Sequence, residues 1–300
     1  AGCPVSTTAD STALQSYNAA GGVDLPCVEI SHAFGRSAAL ARGAARSYGR
    51  PGWGAYLPLG YYWGWPHAVP AKIDRWKTAL YLAFLNGAGM IINENGIFGT
   101  PVNTPGLTRR GVLGANSPFC RRAREVFAEF ARFRDRHPRP PGQPRAAIGI
   151  VQGHLDGWNN IPQAGQGVWG QHAGAHWRWG AAEAAWKYLD VFFPGGRWLS
   201  GTPFGPVDVL AADAPLSVLR ACRLLVFLGW HTMTGAFLEK LERYVAAGGT
   251  AFLSAAHLDT RRDRAAAPAP IDPELQRAVF GVRLEGGAER LRAVRLREPG

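Results

Sequence analysis

The chain has 300 residues, 47% of them hydrophobic and 18% charged, which suits a globular protein with a substantial core and room for two ordinary domains. Its formal net charge of +11 raises nucleic acid as a partner, but the excess is almost all arginine, with Lys only at 72, 77, 187 and 240. The arginines are scattered apart from a dense stretch at 121–139, no zinc-finger spacing or RNA-binding aromatic signature accompanies them, and no run approaches the ~20 apolar residues that span a bilayer, so neither nucleic acid nor a membrane is expected as a partner.

Residues 1–22 are polar and rich in Gly, Ala, Ser and Thr, and are read as a loop entering a first strand at 23–30. That strand ends Val28-Glu29-Ile30, so an acid stands near its carboxyl end. Ser37 is the expected cap of a helix over 38–48, with Gly49 as its stop. The next unit runs from Trp53 to Gly99: short apolar runs at 54–59 and 89–92 flank a segment of helical period, the strand–helix–strand block of a parallel sheet. Asp74 is the expected cap of its helix, Trp76, Leu80, Ala83 and Phe84 form the apolar stripe, and Gly87 is the stop. A Gly/Pro/Asn loop leads to Ser117-Pro118 and a helix over 119–136 that should bury Val126, Phe127, Phe130 and Phe133.

Residues 138–145 form a Pro-rich linker, and a second α/β pattern follows. Strands are expected at 146–151, 207–210, 224–228 and 250–253. A Trp-rich insertion occupies 152–206, and a helix over 235–247 is capped by Thr234, carries Phe237, Leu238, Leu241 and Val245 as its stripe, and stops at Gly248-Gly249. The layered pattern is flavodoxin-like. Of the four cysteines, Cys120 and Cys222 read as small buried hydrophobes, and Cys3 and Cys27 would form a disulfide only in an exported protein. The compartment is not fixed by sequence, with a secreted or periplasmic location slightly favoured. Ala1 in place of Met, and the closing Arg-Leu-Arg-Glu-Pro-Gly, suggest a trimmed chain or a fragment.

Three stretches carry a resemblance: Val207-Asp208-Val209-Leu210 with Leu224–Trp230; Phe237–Ala247 with Gly248-Gly249-Thr250-Ala251-Phe252-Leu253-Ser254; and Ala41–Gly54 as a helix-to-strand turn. The order of parts resembles barrel glycoside hydrolases such as the trimerising beta-galactosidases. The resemblance implies that 1–137 is the late part of a TIM-type β/α barrel, roughly strands six to eight. Residues 146–300 would be a flavodoxin-like, class I amidotransferase-like α/β domain. The earlier barrel strands, and the catalytic Glu that usually comes from the fourth, would lie outside this sequence. An amidotransferase nucleophile needs a Cys on a strand-to-helix turn; Cys222 precedes its strand, so the second domain reads as a packing or assembly module.

Glycoside hydrolysis uses two carboxyl groups, and in parallel α/β folds functional groups collect at strand carboxyl ends. Glu94, between Asn93 and Asn95, is the first candidate and Glu29 the second. The competing reading of Glu94 is a carboxylate that pins a loop. That of Glu29 is a structural acid paired with Arg42 or Arg46. Tyr61, Tyr62, Trp63, Trp65 and His67 crowd one loop, and Asp156, Trp158 and Trp169 lie in another; together with Asn93 and Asn95 they form the expected sugar-binding set, aromatic rings packing on the C–H faces of sugars. Glu183 reads as a helix-surface acid, and His172 and His176, though four apart, lack further ligands, so neither a metal nor a cofactor is expected. The partner implied is an oligo- or polysaccharide, with room for a homo-oligomer. The alternatives are a non-catalytic carbohydrate-binding or assembly module, and an amidotransferase-like or peptidase-like hydrolase.

Overall fold

The computed structural model describes residues 6–9, 15–30, 34–58, 70–94, 116, 118–139, 144–152, 202, 204–227, 235–253 and 273–281. They form an α/β protein with two parallel sheets. The elements are β1 (Ser6–Ala9), α1 (Gln15–Ala20), β2 (Leu25–Glu29), α2 (Phe34–Ser47), β3 (Gly54–Pro58), α3 (Pro70–Leu85), β4 (Met90–Glu94) and α4 (Pro118–Arg136), then β5 (Ile148–Gln152), β6 (Val207–Ala211), α5 (Leu216–Leu219), β7 (Leu224–Phe227), α6 (Gly235–Ala246), β8 (Thr250–Phe252) and α7 (Pro273–Phe280). The first sheet has the sequential order β1-β2-β3-β4; the second has the order β6-β5-β7-β8. All described strand pairs are parallel.

In the first sheet, strand alternation sends Val28, Ala55 and Leu57 to the helix-covered face, where they join Trp53, Trp76, Leu80 and Ala83 in one buried cluster. Positions 27, 29, 54, 56, 90 and 92 fall on the opposite face. That face is tight at its start: a Cβ on Gly54 would lie 2.2 Å from the Cys27 sulfur. Helix ends follow the glycines. Gly49 has φ +62° and closes α2 with two bonds, Gly49 N–H to the Arg46 carbonyl and Arg50 N–H to the Ala45 carbonyl. The same pair closes α3 at Gly87 and α6 at Gly248.

Helix α2 is buried almost all round, because it serves both sheets. Ala38, Ala41 and Ala45 pack in the first core, whereas Ala39 and Leu40 pack against Ile150, Val207 and Val209 of the second sheet. Charged groups also cross this contact. Arg42 Nε donates to Asp208 at 2.6 Å, Arg42 Nη1 to Asn86 at 3.1 Å and Arg42 Nη2 to the Val207 carbonyl at 2.9 Å. Arg46 donates to the other Asp208 oxygen and to the Pro144 carbonyl. The Ala211 N–H donates to Ser47 Oγ at 2.9 Å, so α2 satisfies a donor on the open side of β6. The predicted linker is held at both described ends: Pro144 by Arg46, and Arg139 by its bonds to the Phe84 and Ala88 carbonyls, 2.8 and 3.0 Å, with its guanidinium 5.3 Å from the centre of the Phe84 ring.

Several expectations are corrected. The amino-terminal residues hold β1 and α1 rather than a loop alone; β1 has no apolar alternation and owes its strand form to pairing with β2. Ser37 and Asp74 are not caps. Burial of Phe34 draws α2 back to residue 34, and Pro70, suited to a first helical position, starts α3 one turn early. Val245 is 48% exposed and Tyr244 takes its place in the stripe; its hydroxyl donates to the Cys222 carbonyl at 3.0 Å. Phe127 is 41% exposed, stacked on Trp76 with 6.4 Å between ring centres. The short helices α5 and α7 were not expected. Cys27, Cys120 and Cys222 are buried and are not joined in disulfides.

Candidate functional site

The carboxyl ends of β2, β3 and β4 form one rim. Glu29 is the last residue of β2 and is 4% exposed. It is aligned with Tyr56, which is aligned with Ile92, and the ladder continues through the Ile30 N–H bond to the Tyr56 carbonyl at 2.9 Å. Glu94 is the last residue of β4, aligned with Pro58 and two residues beyond Ile92. Alternation therefore puts position 94 on the same face as position 29, the face away from α2 and α3. Two strand spacings and a two-residue offset set their Cα atoms about 12 Å apart. Asn93 lies half-buried on the helix-covered face.

The competing role for Glu29, an ion pair with Arg42 or Arg46, is replaced by a different arrangement: both guanidiniums are engaged by Asp208. Tyr61, Tyr62, Trp63, Trp65, His67, Asn95, Asp156, Trp158 and Trp169 lie outside the described residues, as do Glu183, His172, His176 and Cys3.

Sequence reading missed Lys72. It stands in the first turn of α3, the helix that leaves the carboxyl end of β3, and its side chain is fully buried. Burial disfavours its ammonium form and lowers its pKa from the ordinary lysine value. The available signal was rarity: one of only four lysines, placed just after a strand's exit loop.

Two thiols, those of Cys27 and Cys222, are poor nucleophiles. Burial pushes Cys27 up to about 11 and Cys222 up to about 11, the latter with help from Asp208. Cys222 precedes β7, at its amino end, away from any strand-to-helix turn. Among the described residues, no group of three His, Cys, Asp or Glu side chains is placed to hold a metal ion, and no helix is long and apolar enough to cross a membrane. No protein-family model matches the chain, and no curated protein sequence matches it.

Proposed function

We propose that the chain is a glycoside hydrolase, or part of one, that hydrolyses O-glycosidic bonds in an oligo- or polysaccharide with Glu94 and Glu29 as its local carboxyl groups. The observation that carries this reading is the register of β2, β3 and β4, which gives two glutamates the carboxyl ends of strands in one parallel sheet and a common face. Fold order supports the reading too. Four parallel strands in sequential order, each followed by a helix, match the progression of a β/α barrel. The second sheet, renumbered from its own first strand, has the order 2-1-3-4 of flavodoxin-like folds.

In this mechanism one carboxyl group protonates the glycosidic oxygen while the other attacks the anomeric carbon or activates water. The test is hydrolysis of an aryl-glycoside and oligosaccharide panel by the wild type, Glu94→Gln and Glu29→Gln, alongside sugar binding by calorimetry. Removal of an essential proton-transfer group lowers turnover about 10²–10⁴-fold while binding persists. Turnover that survives both changes rejects the assignment. Binding without turnover in the wild type favours the non-catalytic carbohydrate-binding alternative.

A further inference from the structure

A second concave site lies on the other sheet, beside α5, where Ala146 and Cys222 lead into β5 and β7. It is a cavity of about 370 Å³, within the range of small-molecule sites. Its charged lining is Arg46, Arg145 and Asp208, with Ser217 adding a hydroxyl. Leu210 and Val218 are among its apolar walls.

The charges are not balanced. Asp208 is fully buried, and its two oxygens already accept from Arg42 and Arg46. Two guanidiniums, those of Arg42 and Arg46, therefore already share this one carboxylate, and the cavity lining adds a third cation in Arg145. Arg42 and Arg46 are committed to Asp208 and to the carbonyls of Val207 and Pro144. Arg145 is exposed at the mouth and makes no hydrogen bond or ion pair to a described residue. A cationic ligand would meet an Asp208 whose charge is already met by two guanidiniums, with the Arg145 cation beside it; an anion would meet a guanidinium with no partner among the described residues, and a hydroxyl.

We propose that this cavity binds a small organic anion, its carboxylate or phosphate head on Arg145 and Ser217 and its apolar body against Leu210 and Val218. The site uses no residue of the proposed sugar-cleaving rim and stands or falls independently of it.

The test is calorimetric titration of the whole chain with hexanoate, inorganic phosphate and, as the cationic counterpart, hexylammonium. The same titrations are run on Arg145→Ala and Arg145→Glu, both exposed changes expected to leave the circular dichroism spectrum unaltered. Hexanoate should bind saturably and hexylammonium should not. The alanine change should weaken hexanoate about tenfold, and the glutamate change more, since a charge-assisted hydrogen bond is lost. Competition by phosphate would identify a phosphate head, and lack of competition a carboxylate head. Absence of saturable hexanoate binding, equal affinity in both Arg145 variants, or equally tight hexylammonium binding overturns the proposal.

Discussion

Gly43 of α2 and Val209 of β6 meet backbone to backbone: a Cβ at Gly43 would fall 1.9 Å from the Val209 carbonyl oxygen and 2.8 Å from its nitrogen. Neither group is the end of a flexible side chain, so nothing there can swing aside. Alanine is the better helix former by about 1 kcal/mol, yet overpacking of this kind typically costs 1–3 kcal/mol, roughly, and here the obstacle is main chain. Gly43→Ala should therefore lower the urea midpoint. Gly235→Ala, at the start of α6 with open space around it, should leave the midpoint unchanged or raise it slightly.

The Arg42–Asp208–Arg46 cluster should be the most sensitive charged feature of the described structure. Asp208→Asn keeps the shape but leaves two guanidiniums facing a neutral amide, Arg42 among them nearly fully buried. Breaking a buried ion pair from one side costs about 3–5 kcal/mol. Denaturant titration should show that loss, and a change below about 1 kcal/mol, the worth of an exposed pair, would mean the cluster is effectively solvated. The exposed Arg134–Asp135 pair provides the contrast: Asp135→Asn should be nearly neutral.

Alkaline pH should unfold the protein earlier than its exposed groups alone would dictate. Burial raises the Cys27 and Cys222 thiols from 9.0 to about 11, and raises the Tyr244 phenol from 10.0 to about 12. In each case the folded state holds its proton longer than the unfolded chain. Their stabilising contribution is complete below the unfolded values and is lost as pH rises through roughly 9 to 12. Urea midpoints measured across that window should fall, and Tyr244→Phe should flatten the upper part of the fall while lowering stability at pH 7 through the lost bond to the Cys222 carbonyl. Lys72 acts in the opposite direction: its lowered folded pKa makes stability rise with pH toward the unfolded lysine value, so Lys72→Met should steepen the net alkaline loss.

Arg139 should matter more than a surface arginine. It gives two hydrogen bonds to carbonyls at the end of α3 and stacks over Phe84. Arg139→Ala should cost about 1–2 kcal/mol and loosen the start of the linker, seen as faster proteolysis after residue 139. Equal cleavage rates in the two proteins would remove that role.

Apart from β1, the parallel strands were readable in the sequence because each is a short apolar run, and helix ends were readable where Gly49, Gly87 and Gly248 take positive φ. What escaped depends on distant partners. Ser6–Ala9 becomes a strand through pairing with β2, and Ser37 is drawn inside its helix by the burial of Phe34. Of the site, strand ends announced Glu29 and Glu94, since they are local features. Asp208 read as one strand residue among apolar neighbours; its meaning lies in Arg42, 166 positions away in the chain. Lys72 gave no periodic or motif signal at all, because its burial is decided by how α3 seats on the sheet.

The double service of α2 sets a rule for anyone dividing this gene. A cut within the Pro-rich segment looks natural on paper, yet it would strip one covered side from a helix that is buried almost all round and leave an acid without its counter-charges on the other product. Each half, made alone, should collect in inclusion bodies, and soluble material should appear when the two are produced together in the same cell.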